Sequence, residues 1–187
     1  MKLWLVRHAQ PLVATGVCYG ALDVAADPRA THQAAQALAV ALPANTRVIS
    51  SPLQRCEQLK QVLRGLRPDL SYESDHRLVE MDFGRWEGQH WDAITRAELD
   101  GWTASFDTWR CGGAESVQDV MARVGAVWDE TLAYKQPTVW LTHAGVIRAA
   151  NLLARGQRQI DDARQWPSDA PAWGAWQVLE IQHAKGC

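Results

Sequence analysis

Basic and imidazole side chains follow each of three short apolar runs of strand length. In chain order they are Arg7 with His8, the stretch Ser50 to Arg55, and Thr142 with His143. In an open parallel sheet, ligands bind beyond the carboxyl ends of the strands, so these side chains are expected to meet at one edge. Two guanidinium groups at 4 Å repel by about 4 kcal/mol at an effective dielectric of 20 unless an anion lies between them. The pattern therefore predicts a site for a compact anion.

A phosphate monoester is the anion that suits these groups best, because its oxygens accept forked hydrogen bonds from arginine. Phosphoryl oxygens repel an anionic nucleophile, whereas a neutral imidazole avoids that repulsion. Histidine is an established covalent nucleophile, and the chain contains neither a Cys-x5-Arg loop nor a Walker-type glycine-rich loop. The sequence thus predicts phosphoryl transfer with His8 as the candidate nucleophile.

The elements that must position these groups alternate between strand and helix. Strands are predicted over 2–6, 138–141 and 177–181, and a further strand is predicted to end at 47–49. Apolar residues at helical spacing predict helices over 30–41, from near Pro52 to 63, and over 117–132, with a further helix after the strand at 138–141. This order favours an α/β fold with a mostly parallel central sheet covered by helices on both faces.

Four segments of the chain resemble the signature segments of the histidine phosphatase superfamily, the phosphoglycerate-mutase-like group. They are Leu5-Val6-Arg7-His8-Ala9-Gln10, Ser50-Ser51-Pro52-Leu53-Gln54-Arg55, Glu80-Met81-Asp82-Phe83-Gly84-Arg85-Trp86-Glu87-Gly88 and Thr142-His143-Ala144-Gly145-Val146-Ile147-Arg148. The resemblance spans roughly residues 1 to 150 and implies a three-layer fold in which a small helical cap covers the strand ends. It implies a single domain over 1–187 with a cap-like insertion at about 82–115.

The resemblance also implies a role for each matching side chain. His8 is expected to become phosphohistidine, while Arg7, Arg55 and His143 hold the phosphoryl oxygens. Glu80 is expected to be the acid and base, a role that the chemistry requires because an alkoxide is a poor leaving group. The family pattern implies no metal and no cofactor.

The chain departs from the family pattern at a few positions. Ala9 stands where the family usually has glycine, which matters only if the backbone there needs a positive φ or a close approach. Leu59 and Lys60 replace a small Thr-Ala pair, which concerns helix packing more than chemistry. Gln10 is a candidate to offer its amide to the phosphate, and a plain loop residue is the alternative.

Within the superfamily, the loop from Gly16 to Val24 resembles that of alpha-ribazole phosphatases, which typically carry Cys-Tyr-Gly followed two residues later by Asp. The stretch 112–116 likewise resembles a Gly-Gly-Glu-Ser segment of small phosphatases, with one extra alanine. The resemblance implies alpha-ribazole 5'-phosphate of the cobalamin pathway as substrate, with Tyr19 as a substrate-binding residue. Tryptophans between Trp86 and Trp109 either stack on a flat base or only bury the cap, and at most one or two are expected to touch substrate.

Two other functions remain open at this point. One is a phosphoglycerate-type mutase or a broad sugar-phosphate phosphatase. A mutase transfers the phosphoryl group to a second hydroxyl, whereas a phosphatase transfers it to water. The other is a weakly active phospho-ligand binding protein.

Composition limits the partners. The 187 residues include 19 Lys plus Arg against 21 Asp plus Glu, a net charge of -2 that gives no electrostatic case for nucleic acid or an anionic membrane. No apolar stretch approaches the roughly 20 residues of a membrane span, and no secretory signal is evident, so a cytoplasmic protein is expected. The cysteines are expected to be free thiols, and four histidines to be surface residues. These are Cys18, Cys56, Cys111 and Cys187, and His32, His76, His90 and His183.

Overall fold

A five-stranded sheet forms the centre of the computed structural model, which describes residues 1–181. Its strands are β1 (Lys2–Arg7), β2 (Arg47–Ser50), β3 (Ser71–Ser74), β4 (Thr138–Thr142) and β5 (Trp176–Glu180). Their order across the sheet is β3-β2-β4-β1-β5, and every pairing is parallel except that of β5 with β1. The predicted mostly parallel sheet is confirmed, with β3 as an additional edge strand.

Helices cover both faces of this sheet. They are α1 (Pro28–Ala41), α2 (Gln54–Leu66), α3 (Arg96–Ala104), α4 (Val117–Tyr134) and α5 (Ala144–Ala154). Alternating side chains of β1 separate two cores: Leu3 and Leu5 pack with α4 and α5, whereas Trp4 and Val6 pack with α1 and α2. The period of two along the strand thus places apolar side chains on both faces, as in a fully covered sheet.

Side-chain caps set where two of the helices begin. Asp27 Oδ1 accepts a hydrogen bond from Ala30 N ahead of α1, and Ser116 forms a capping box with Asp119 at the start of α4. The expectation that a helix opens near Pro52 is wrong by two residues. Leu53 has extended backbone angles, φ −62° and ψ 140°, so α2 begins at Gln54.

Residues 82–115 form a layer of short helices against α4. Three 3₁₀ turns and α3 occupy this segment, and its aromatic side chains share one hydrophobic cluster with Val117 and Val120. Trp102 stacks on Phe106 with ring centroids 5.7 Å apart and planes inclined by 14°. The tryptophan-rich sequence therefore forms a continuous aromatic wall.

The remaining sequence expectations concern cysteines, histidines and membrane spans. Cys18, Cys56 and Cys111 are buried free thiols, as predicted, and His32, His76 and His90 are exposed. Cys187 and His183 lie outside the described residues. No helix within residues 1–181 has the length and apolar character needed to cross a membrane.

Candidate active site

Three neighbouring strands bring the predicted site residues together. Because β2, β4 and β1 are adjacent and parallel, their carboxyl ends share one edge. His8 N donates to Thr142 O at 3.0 Å, and Ser51 N donates to Leu141 O at 2.9 Å, so the chain leaves the three strands in register. The imidazole rings of His8 and His143 lie 5.2 Å apart between centroids.

His8 is held as a neutral ring with one free nitrogen. The side chain is 2% exposed, and Nδ1 lies 2.7 Å from Ala9 O. A carbonyl oxygen only accepts hydrogen bonds, so Nδ1 carries the proton and the lone pair lies on Nε2. Burial, reinforced by the charge of Arg55, lowers the pKa of His8 to about 3. The residue therefore has the protonation state that a nucleophile requires.

Ala9 fits the backbone in place of the family's glycine. Its side chain is fully buried, and the non-glycine residues with a positive φ in the described chain are Asn45 and Lys135. The backbone at Ala9 is thus in a region open to any L-residue. The substitution imposes no backbone strain on the site.

Arg55 is fully buried and clamped by the loop that precedes α1. Its Nη1 donates to Leu22 O at 2.8 Å, its Nη2 donates to Gly20 O at 2.6 Å, and its Nε donates to His143 Nδ1 at 3.2 Å. The ring of Tyr19 lies 5.5 Å from the guanidinium carbon. A guanidinium has five N–H groups, so two remain for a phosphoryl oxygen.

The contacts of the loop from Gly16 to Val24 explain why it has a glycine at position 20 and an aspartate at position 23. A Cβ on Gly20 would lie 1.9 Å from Met81 O, so only glycine allows the close approach of the two chains. Asp23 Oδ1 accepts a hydrogen bond from Gln54 N at 2.6 Å and so satisfies a free amide at the start of α2. Gly20 and Asp23 of this motif therefore position Arg55 and its helix.

His143 has protein partners on both ring nitrogens. Nδ1 accepts from Arg55, so the proton of the neutral ring lies on Nε2, which donates to Ser51 Oγ at 2.8 Å. The ring is fully buried, and burial together with the charge of Arg55 holds its pKa well below the ordinary value. In this structure His143 orients Arg55, and contact with a phosphoryl group would require one of these bonds to be exchanged.

Glu80 is held by two backbone amides. Its Oε2 accepts from Gly145 N at 3.0 Å and its Oε1 accepts from Met81 N at 3.0 Å. The carboxylate lies so close to α5 that a Cβ on Gly145 would be 2.2 Å from Oε1. Both the amide and the missing side chain of Gly145 therefore determine where the carboxylate lies.

Arg7 is bound by the 166–175 segment, which joins the last 3₁₀ turn to β5. Its Nη1 donates to Pro171 O at 3.1 Å, and its guanidinium carbon lies 5.3 Å from the centre of the Trp173 ring. The Nε of Arg7 is buried and has no hydrogen-bond partner among residues 1–181. Arg7 therefore retains donors for a ligand.

A cavity of about 430 Å³ lies beside these groups, and its wall is mostly apolar and rich in aromatic side chains. Its polar wall residues are Arg7, Glu80 and Arg148, and its aromatic ones are Tyr19, Phe83, Trp91, Trp102, Phe106 and Trp166. Of the predicted residues, Tyr19 lies on the wall, whereas Gln10 is exposed and does not. His8, Arg55 and His143 are buried and do not line this cavity.

Sequence reasoning missed the far wall of the cavity. Trp166 lies in the irregular 166–175 segment, where no periodic pattern marks an inward-facing side chain. Arg148 had a usable signal, because it is three residues after Gly145 in α5 and so shares the helix face that contacts Glu80. Helical spacing applied beyond His143 would have identified it.

Comparison with known families decides the classification. The sequence pattern of the histidine phosphatase superfamily (branch 1) matches residues 3–186. The chain belongs to the histidine phosphatase superfamily. No curated protein matches this histidine phosphatase.

Solved structures resemble this histidine phosphatase along most of its length. The mycobacterial glucosyl-3-phosphoglycerate phosphatase is 26% identical, with a TM-score of 0.70 over 82% of this chain and 78% of that one. TTHB049 from Thermus thermophilus is 26% identical, with a TM-score of 0.71 over 96% and 94%. A protein described as mycobacterial hydrolase 2 is 25% identical, with a TM-score of 0.78 over 99% and 84%. The family and its phosphatase neighbours make this chain a phosphoric monoester hydrolase, for which small-molecule phosphates are fitting substrates.

Side chains that could ligate a metal are dispersed through the described chain. Within residues 1–181, no three or more His, Cys, Asp and Glu side chains are grouped so that they could hold a metal ion.

Proposed function

We propose that this histidine phosphatase hydrolyses alpha-ribazole 5'-phosphate through a phosphohistidine at His8, without a metal. The observation that carries the proposal is the aromatic cavity, whose wall includes both Arg7 and Glu80. Aromatic side chains stack favourably on a flat heteroaromatic base, and the two polar groups are suited to the phosphate end of the same molecule. A cobalamin-pathway substrate agrees with the expected cytoplasmic location.

The reaction has two steps on this arrangement. In the first, Nε2 of His8 attacks phosphorus, the ester P–O bond breaks, and Glu80 gives its proton to the departing oxygen. Arg7 and Arg55 offset the charge of the phosphoryl oxygens. In the second, Glu80 takes a proton from water, the water oxygen attacks phosphorus and the P–N bond breaks, which releases inorganic phosphate and restores neutral His8.

The loop resemblance supports the substrate less directly than the cavity does. Gly20 and Leu22 bind Arg55 through backbone carbonyls, and Asp23 caps α2. Tyr19 is the residue of this loop whose side chain lines the cavity. Two of the four tryptophans between residues 86 and 109, Trp91 and Trp102, line it as well, so an aromatic base has several rings to stack on.

The substrate proposal is tested by kcat/KM on alpha-ribazole 5'-phosphate, glucosyl-3-phosphoglycerate, 3-phosphoglycerate and glucose 6-phosphate. We expect alpha-ribazole 5'-phosphate to exceed each of the others by about tenfold or more, because only its base can stack across the aromatic wall. A preference for glucosyl-3-phosphoglycerate or 3-phosphoglycerate would instead indicate a substrate class like that of the mycobacterial glucosyl-3-phosphoglycerate phosphatase. Conversion of 3-phosphoglycerate to 2-phosphoglycerate would identify a mutase.

The nucleophile is tested separately with His8→Ala and the matched control His32→Ala on the exposed surface of α1. His8→Ala should lower kcat by about 10⁴-fold or more and abolish the acid-labile phosphoprotein, because the covalent step is lost. The His32 variant should match the parent protein. Full activity in His8→Ala would remove His8 from the mechanism, and absence of turnover in the parent protein on every ester would favour a phospho-ligand binding protein.

A further inference from the structure

Arginines of the described chain that have no carboxylate partner fall into two groups. Arg29, Arg64 and Arg155 are exposed to solvent, where an unpaired charge is ordinary. Arg55 is instead fully buried beside His143, and Arg7 and Arg148 are half-buried on the cavity wall. Two of this second group already have proposed roles at the phosphate, which leaves Arg148 without one.

Arg148 combines a fixed position with an unused donor. It lies in α5, and its Nη2 donates to Ser168 O at 2.9 Å in the 166–175 segment. Its Nε is buried and has no hydrogen-bond partner within residues 1–181, although the residue lines the aromatic cavity. A buried donor without an acceptor is unfavourable, so an acceptor supplied by a ligand would stabilise this arrangement.

The rest of the cavity wall shows which part of a ligand Arg148 would meet. Arg7 and Glu80 are the other charged wall residues, and in the proposed reaction both act on the phosphate and its ester oxygen. The remaining wall is formed mainly by aromatic and aliphatic side chains, whose hydrogen-bonding groups are the neutral hydroxyl of Tyr19 and the indole nitrogens of the tryptophans. Among the wall residues, Arg148 is therefore the charged group available to the part of the substrate beyond the phosphate.

We propose that Arg148 is a specificity-determining residue that donates a hydrogen bond from its Nε to an acceptor atom on the leaving group. This proposal rests on the phosphatase function proposed above. The chemistry it requires is an acceptor several bonds from phosphorus. Two sources of that acceptor are a ring nitrogen or hydroxyl of alpha-ribazole 5'-phosphate and the carboxylate of 3-phosphoglycerate.

The test compares Arg148→Met with the matched control Arg155→Met, which removes an exposed arginine just beyond the end of the same helix. Each protein is assayed on alpha-ribazole 5'-phosphate, 3-phosphoglycerate and phenyl phosphate, whose leaving group has no acceptor beyond the ester oxygen. For at least one of the first two esters, Arg148→Met should lower kcat/KM by roughly 30-fold, mainly through KM. Phenyl phosphate should change by less than about threefold, and Arg155→Met should leave all three unchanged.

A second variant separates recognition from folding. Arg148→Lys keeps a positive charge but has no Nε–H, so it should show the same selective loss. Equal losses on all three esters would mean that Arg148 only supports the fold, and no loss on any would mean that it does not contact substrate. Either result overturns the proposal, as does a parent protein that shows no preference for an acceptor-bearing ester over phenyl phosphate.

The outcomes also distinguish this proposal from the function it rests on. A selective loss confined to 3-phosphoglycerate would retain the role of Arg148 and remove the alpha-ribazole assignment. Hydrolysis that persists in His8→Ala would remove the phosphohistidine mechanism whatever the Arg148 variants show.

Discussion

Gly145 shows how a residue without a side chain can define a reactive group. Its amide binds one oxygen of Glu80, and its missing Cβ leaves room for the other. The glycine does not have a positive φ, so its requirement comes from space and not from backbone conformation. A methyl group at this position would meet the Glu80 carboxylate first, and the backbone conformation of the helix itself does not require glycine here.

Gly145→Ala should therefore reduce catalysis more than stability. Displacement of the Glu80 carboxylate should slow hydrolysis of alkyl phosphates by roughly 100-fold, whereas p-nitrophenyl phosphate, whose leaving group needs little protonation, should lose less than about fivefold. Steady-state kinetics on the two ester types measure the difference. The matched control is Gly65→Ala in α2, where a Cβ meets nothing within 4 Å. Equal losses on both esters would contradict the proposed proton transfer by Glu80.

At the residue scale, the positions of His8, Arg55 and His143 could be predicted because each follows a strand whose apolar run is visible in the sequence. The partners of Arg55 could not be. Backbone carbonyls of Gly20 and Leu22 accept its hydrogen bonds, and a carbonyl's direction has no side-chain signature. The pairing of His143 with Arg55 Nε and Ser51 Oγ was equally hidden.

At the scale of elements, α3 supports the aromatic wall through its first turn. Thr95 Oγ1 accepts from Glu98 N and donates to Glu98 Oε2 at 2.7 Å, and Glu98 also accepts from the indole nitrogen of Trp86. Trp102, which lines the cavity, is part of the same helix. The capping box at the start of α3 therefore also helps to position Trp102 on the cavity wall.

Thr95→Ala should loosen this element. Loss of the capping box should lower the free energy of unfolding by about 1 kcal/mol, as measured by urea denaturation. KM for a bulky aromatic ester should rise about two- to fivefold because Trp102 is less firmly positioned. Thr103→Ala in the same helix is the control, since the Oγ1 of Thr103 only donates to Leu99 O within the helix. If both variants have the same stability and KM, the capping box of α3 does not support the aromatic wall of the cavity.

Prediction of elements failed where the physical signal was weak. β3 was missed because Ser71–Ser74 is a mostly exposed edge strand in which only Tyr72 is partly buried, so no apolar run marks it. The start of α2 was placed two residues early because proline at a first helical position is a strong preference, whereas here Leu53 remains extended. Long helices with a continuous apolar stripe, such as α4, were predicted nearly to their ends.

At the scale of the whole molecule, three thiols report on the integrity of the fold. Cys18, Cys56 and Cys111 are each 0% exposed and lie in different parts of the chain. Burial raises the pKa of each from an ordinary 9.0 to about 12. The folded thiols stay protonated while unfolded ones ionise near pH 9, so they make the free energy of unfolding fall as the pH rises from 9 towards 12.

Iodoacetamide should accordingly fail to modify these positions in the native protein at about pH 8 and should modify all of them in urea. Peptide mass spectrometry resolves the label at each cysteine, and its rate of appearance measures opening of the surrounding structure. Rapid native labelling at any of the three, at the rate of a free thiol, would show that the core around it opens far more readily than its burial indicates.

The antiparallel partner of β1 has a consequence for synthesis of the chain. Gly174 N donates to the carbonyls of Arg7 and His8, and Arg7 N donates to Ala175 O, so residues near opposite ends of the sequence hold one another. On the ribosome the imidazole of residue 8 emerges first, whereas the segment that fastens its backbone emerges more than 160 residues later. A nascent polypeptide can therefore assemble this reaction centre only after the segment around residue 174 has left the ribosome.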